Sequence, residues 1–119
     1  MGKTIAIVQS NYVPWRGDFD MIASVDEFVL LDDVQYTKRD WRNRNKIKTA
    51  GGGTRWLSIP VEVSGKYEQA ICETQIADAG WARQHWDIVR QTYAQAPGFA
   101  DHGAFVQELY ETAPGPMLS

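Results

Sequence analysis

Thr4-Ile5-Ala6-Ile7-Val8 and, farther on, Phe28-Val29-Leu30-Leu31 are the stretches on which the fold turns. Each is a short, nearly unbroken apolar run. That pattern predicts a strand covered on both faces, as in parallel sheets. Between them, Gln9 to Arg16 breaks the apolar pattern, with Pro14 and Gly17 as punctuation. Asp18 to Val25 then reads as a short helix with Phe19, Ile22 and Ala23 on one face. Strand, turn, helix and strand in this order predict a parallel βαβ unit with a right-handed crossover. The second strand runs out into Asp32 and Asp33.

The next segment, Gln35 to Lys48, concentrates charge. Lys38, Arg39, Arg42, Arg44, Lys46 and Lys48 face a single acid, Asp40, although the whole chain has a net charge of −3. A cationic block in an acidic protein points to capture of phosphate or carboxylate groups. Gly51-Gly52-Gly53 follows as a flexible turn, and Trp56 to Ile59 is strand-like up to Pro60. Arg44 to Lys48 is therefore expected to pair with it as a hairpin. Period-two alternation would place Arg42, Arg44, Lys46 and Lys48 on one face. Trp41, Asn43, Asn45 and Ile47 would take the other, which is expected to face inward.

Ile71 to Ile76 alternates weakly and suggests an edge strand. Asp78 is placed to cap a helix from Ala79 to about Ala94. Ala82, Trp86, Val89 and Tyr93 form its apolar stripe, with Trp81, His85 and Ile88 alongside. Pro97-Gly98 ends it, and Asp101 would cap a last helix to about Thr112, with Phe105, Val106 and Leu109 inward. Ala113 to Ser119 holds two prolines and a glycine and is expected to fray. The whole reads as α/β: a small Rossmann-like domain starting with a βαβ unit, followed by a β-hairpin and C-terminal helices, in one domain over residues 1–119.

Composition narrows the function classes. Hydrophobic residues make up 44% of 119, enough to drive folding of one modest core. One cysteine, Cys72, permits no internal disulfide and no thiolate zinc site, and it is expected to be buried and inert. No apolar run approaches the length of a membrane span, no secretion signal opens the chain, and a cytoplasmic location is expected. An acidic overall balance argues against a general nucleic-acid binder. There is no GxGxxG and no Walker loop, no metal-ligand cluster stands out, and no cofactor is named by the sequence.

Candidate site residues follow from position. Ligands of open α/β sheets bind beyond the carboxyl ends of the strands. The turn after the first strand leads there and on to a helix N-terminus, which favours anions. Gln9, Asn11, Tyr12 and Trp15 offer hydrogen bonds and stacking. Asp32 and Asp33 should reach the same edge, as Mg²⁺ ligands, a general base, an amine holder or a structural strand-end pair. Arginine forks in the basic block suit planar oxyanions, and His85 would move protons if its helix face meets the cleft.

These residues also carry a resemblance. Ile-Ala-Ile-Val-Gln-x-x-Tyr-x-Pro-Trp-x-Gly-x-Phe-Asp from Ile5, Leu-Asp-Asp-Val-Gln-Tyr-x-Lys-Arg-x-Trp-x-Asn-Arg-Asn from Leu31, and Trp-Leu-x-Ile-Pro-Val from Trp56 resemble the WbqC-like family. So do Trp81, His85 and Tyr93 followed by Ala96-Pro97. The likeness spans roughly residues 4 to 112. It implies a place in bacterial O-antigen or other surface-polysaccharide biosynthesis, as an acyl or aminoacyl (glycyl-type) transferase acting on an amino sugar. Family members are longer, so this chain would correspond to an N-terminal part. Ser10 and Asp18 depart from the family pattern, which has a proline and an aromatic there.

The resemblance implies catalytic roles for Asp33 or His85, taking the proton from the attacking amine, and for Asn43 and Asn45, steadying the carbonyl oxygen. Substrate-binding roles fall to Gln9, Tyr12, Trp15, Asp32, Gln35, Tyr36, Lys38, Arg39, Trp41 and Arg44. The expected partner is an anionic small molecule such as a nucleotide-linked or lipid-linked sugar. Two other functions compete: a nucleotidyl-transferring, adenylate-forming α/β enzyme, and a phosphosugar-binding module without catalysis.

Overall fold

A computed structural model describes residues 2–49, 51–113 and 115–119. Its elements run β1 (Ile5–Val8), α1 (Arg16–Ser24), β2 (Glu27–Leu30), β3 (Arg44–Lys48), β4 (Thr54–Ser58), a 3₁₀ turn (Ile71–Glu73), α2 (Trp81–Tyr93) and α3 (Phe99–Thr112). The architecture is mixed α/β: a parallel strand pair, an antiparallel hairpin and C-terminal helices.

β1 and β2 pair in parallel, from Ile5 opposite Glu27 to Val8 opposite Leu30. The ladder starts where the Asp26 carboxylate accepts the Thr4 amide at 2.8 Å and continues past Val8, whose carbonyl accepts from Leu31. The connection is the expected βα unit, with Asp18 in the first turn of α1 to complement the helix dipole. The expected two-sided burial is not found. Ile7 is 58% exposed and Leu30 54%, Val29 is also exposed, and α1 buries no residue. A run of β-branched residues fixes strand conformation locally, but cover must come from other segments, and it reaches Ala6, Val8 and Phe28 only in part while Ile5, Ile7 and Val29 stay exposed.

The core sits instead between the hairpin, α2 and the 59–76 segment. Ile59, Trp81 and Ala82 form its centre, with Tyr12, Val61, Ile76, Tyr110 and Leu118 packed against it. In the hairpin, Asn45 lies opposite Leu57 and Ile47 opposite Arg55. Ile47 and Leu57 are buried, so the Asn face is the inner one, as alternation predicts. Arg44 and Lys46 turn outward onto the ring of Trp56, at 4.1 and 4.9 Å from its centroid. Two residues depart from the alternation because they precede the strand. Trp41 packs against Trp56, at 5.5 Å between ring centroids, and Arg42 turns inward.

Four further expectations are corrected. Ile71 to Ile76 is not an edge strand. Its first residues form a 3₁₀ turn that buries Ile71 and Thr74 completely, three residues apart, and the Thr74 hydroxyl donates to the Ala70 carbonyl at 3.0 Å. α3 buries a different face: Gly103 is buried while Phe105 and Leu109 are exposed. The reason is Gly103, where an added Cβ would sit 3.2 Å from the Phe99 ring. The bare backbone lets Phe99 stack on Trp86. Where the tail is described beyond Pro114, which lies outside the described residues, it is tied back rather than free: the Pro116 carbonyl accepts from Ile76 and Leu118 donates to Thr74. Cys72 is exposed rather than buried.

Candidate functional site

The loop after β1 is the organising feature. Val13 holds a positive φ of 48°, an unusual state for a β-branched residue that costs energy unless its surroundings enforce it. The enforcement is visible. The Asn45 side-chain amide donates to the Tyr12 and Val13 carbonyls, at 3.2 and 2.7 Å, and the Tyr12 amide donates to the Trp41 carbonyl at 3.1 Å. Upstream, Asp32 accepts from both the amide and the hydroxyl of Ser10, at 3.0 and 2.8 Å. A proline at position 10 would have no amide to give. Ser119 also donates to Asp32. Burial works against the Asp32 charge, but the hydrogen bonds from Ser119 and Ser10, with the nearby Arg42 charge, hold its carboxyl below the usual carboxylate range.

Arg42 ties the loop to the start of the hairpin. One guanidinium nitrogen donates to the Ser10 carbonyl at 3.0 Å and to the Asn11 side-chain oxygen, and another lies 3.8 Å from the Asp40 carboxylate. Asn11 in turn donates to Asp18 at 3.3 Å. The Asp40 carboxyl is itself held low by bonds from the Trp41 amide and the Thr37 hydroxyl. The result is a line of alternating charges and amides, Asp18–Asn11–Arg42–Asp40, beside the N-terminus of α1.

Hollows flank this line. One, of about 410 Å³, is bordered by Gln9, Asn11, Asp18 and Arg42. A second, of about 550 Å³, is walled by Trp15 and Trp41, with Asn11, Asp18 and Asn45 between them. Trp15 is 72% exposed, so its ring is free to stack. A third and larger cleft, of about 680 Å³, shares Asn11 and Arg42 and extends between the hairpin, α2 and α3.

Gln9, Trp15, Trp41 and Asn45 thus come together around Asn11 and Asp18. The other expected residues go elsewhere. His85 is buried, and its Nε2 lies 3.0 Å from the Ser58 carbonyl, which can only accept. Nε2 therefore carries the proton, and Nδ1 accepts from the Tyr12 hydroxyl at 2.7 Å. Tyr12, its proton so committed, accepts from Tyr110 at 2.6 Å. Burial lowers the His85 pKa, opposed by the Ser58 bond, so the ring is held neutral. Burial also pushes both phenols up. Both ring nitrogens of His85 are occupied, and it reaches the large cleft only through Tyr12.

Asn43 brackets Ile59, its side chain donating to the Ile59 carbonyl at 2.8 Å, and serves the hairpin. Gln35 donates to the Tyr67 carbonyl, the buried Tyr36 bonds through its backbone to Gln69, and Lys38 lies over the Tyr67 ring. The Arg39 carbonyl accepts from Arg44 on the outer side of the hairpin. Asp33 is exposed and borders none of the three hollows. Asn11 and Arg42, read in the sequence as a loop candidate and as one cation of the basic block, are central here together with Asp18, which sequence did not single out as a site residue. The signal for Asp18 was an acid at the start of a helix where the family pattern has an aromatic. Among the described residues, no group of three His, Cys, Asp or Glu is placed to hold a metal ion, and no helix is long and apolar enough to cross a membrane.

A βα loop held by side-chain amides, with Trp15, Trp41 and Arg42 around it, thus stands at the carboxyl end of a parallel strand, where open α/β sheets place their ligands. The chain belongs to the WbqC-like protein family, whose model matches residues 9–119. It is 52% identical over 108 residues to the uncharacterized protein Rv1507c of Mycobacterium tuberculosis, covering 91% of this chain and 46% of that protein. It therefore spans less than half the length of this relative. No solved structure matches the chain.

Proposed function

We propose that residues 1–119 form the sugar-recognition unit of a cytoplasmic transferase. It would move an acyl or aminoacyl group to the amine of a nucleotide-linked or lipid-linked amino sugar in surface-polysaccharide (O-antigen) biosynthesis. In this proposal β1 and β2 begin a Rossmann-like sheet. Family membership supports the setting. The observation that carries it is the hollow between Trp15 and Trp41, floored by Asn11, Asp18 and Asn45. Two indole faces suit the apolar face of a pyranose, the amides suit its hydroxyls, and the Asp18 carboxylate suits a cationic amine.

Asp18, beside the bound ammonium, first takes one proton and frees the nitrogen lone pair. The neutral amine then attacks the donor carbonyl carbon, a C–N bond forms, the bond to the leaving group breaks with its electron pair, and the departing group carries off the second nitrogen proton. Arg42, with N–H groups to spare, stabilises the charge that develops on the carbonyl oxygen. Asn45 serves as a positioning residue, since its amide protons already hold the Tyr12 and Val13 carbonyls. His85 positions Tyr12. Because the chain spans less than half of its relative, a second function is binding by this unit with turnover completed elsewhere.

Calorimetry with UDP-glucosamine and UDP-N-acetylglucosamine tests the proposal. The free amine should bind at least about tenfold more tightly, an energy of ~1.4 kcal/mol. Asp18→Asn should remove the difference, and Trp41→Ala should weaken both. Equal affinities for the two sugars would refute the assignment of the amine to Asp18.

A further inference from the structure

The large cleft is distinct in chemistry from the sugar hollow. Leu30, Ile47, Ile59, Val89, Val106 and Leu109 form its walls. Among the described residues Arg42 and Lys46 are the charged ones that line it, and because the Lys46 ammonium turns away onto the Trp56 ring, the charge at the cleft is the Arg42 guanidinium. Two of its lining residues, Arg42 and Trp81, each carry a buried N–H with no hydrogen-bond partner among the described residues. Trp81 is itself 6% exposed. Buried donors without acceptors cost stability, so an acceptor supplied by a ligand is favoured there. At about 680 Å³ the cleft has the size of a small-molecule site.

We infer that this cleft binds an apolar acyl chain, its carboxyl oxygens meeting Arg42 and its hydrocarbon lying along Ile59, Val89 and Val106. This deepens the transferase proposal and rests on it for the word donor, because the cleft shares Asn11 with the sugar hollow and Arg42 with the hollow beside Gln9. A carboxyl group seated at Arg42 is joined to Asp18 through the Asn11 side chain, which bonds to both. The donor group is thereby assigned to the class of alkyl or branched-chain acyl groups, in contrast to glycyl. An anionic or strongly polarised head is favoured, since among the described residues the charge at the cleft is that of Arg42.

Calorimetry on the full chain with hexanoate, octanoate, decanoate and dodecanoate tests the inference. Affinity should rise about three- to fourfold per methylene until the cleft is filled, the gain expected from burying each CH₂. Dodecanoate should bind at least tenfold more tightly than its methyl ester. Val106→Trp, which fills the cleft, should lower dodecanoate affinity at least tenfold while UDP-glucosamine binding is kept. Val89→Phe provides the same test if the first variant does not fold. A flat chain-length series, or dodecanoate binding unchanged in both folded variants, overturns the inference. So does loss of binding in Ile7→Thr, which would place the chain on the exposed strand face. Loss of sugar binding with the chain-length series intact strikes the transferase proposal and leaves the cleft assigned.

Discussion

Replacing Tyr12 by Phe should cost far more stability than replacing Tyr110 by Phe, although both changes delete one hydroxyl from one hydrogen-bonded line. The asymmetry comes from proton order. The Ser58 carbonyl can only accept, so His85 donates from Nε2 and must accept at Nδ1. Tyr12 supplies that proton, at 2.7 Å, and Tyr110 donates to Tyr12 at 2.6 Å. Tyr12→Phe breaks both bonds, each worth about 1 kcal/mol, and strands the buried Nδ1 and the Tyr110 hydroxyl, about 1–2 kcal/mol more. The total is about 3–4 kcal/mol. Tyr110→Phe breaks one bond and leaves no donor stranded, for about 1 kcal/mol. Urea denaturation at pH 7.5 measures both, with unchanged m-values confirming that only stability moved. In a chain of 119 residues the two melting temperatures should separate by roughly 8–12 °C. Equal losses, or a larger one for Tyr110→Phe, would show that the protons run the other way and that His85 does not hold Tyr12.

The same line gives the protein a pH dependence. Because burial lowers the His85 pKa below its ordinary 6.5, the unfolded chain binds a proton that the folded one refuses. Stability is therefore full above about pH 6.5 and declines as pH falls below it; melting scans from pH 8 to 5 should show this, and His85→Gln should flatten the slope. Ile7→Thr should change unfolding free energy by less than about 0.5 kcal/mol, since Ile7 is largely exposed; a loss above about 2 kcal/mol would mean that β1 is covered after all. Val13→Gly should raise stability by up to about 1 kcal/mol in urea titration, because glycine adopts the positive φ without strain, and a loss would mean that the Val13 side chain contributes more than its backbone costs.

Much of the local structure was legible in the residues. Apolar runs at Ile5 and Phe28 announced a parallel pair, and alternation through Asn43, Asn45 and Ile47 told which side of the hairpin faces in. The first loop was legible as a candidate site because it leaves a parallel strand and enters a helix. Less legible was what each candidate does. Asn45 and His85 look like chemical groups in the sequence. In the fold their polar atoms are committed, to the backbone of a strained loop and to Tyr12 and Ser58. Asp18 gains its place only in the fold, where Asn11 joins it to Arg42.

The sequence by itself determined which residues share a face, because side-chain direction repeats with backbone period and needs no distant partner. Only the tertiary structure decided what covers each face. It left β1 and β2 open, turned α3 on Gly103 and laid 115–119 against Thr74. It also joined Tyr12 to Tyr110, 98 positions apart in the chain. Such pairings depend on packing of whole elements against one another, and no local pattern encodes them.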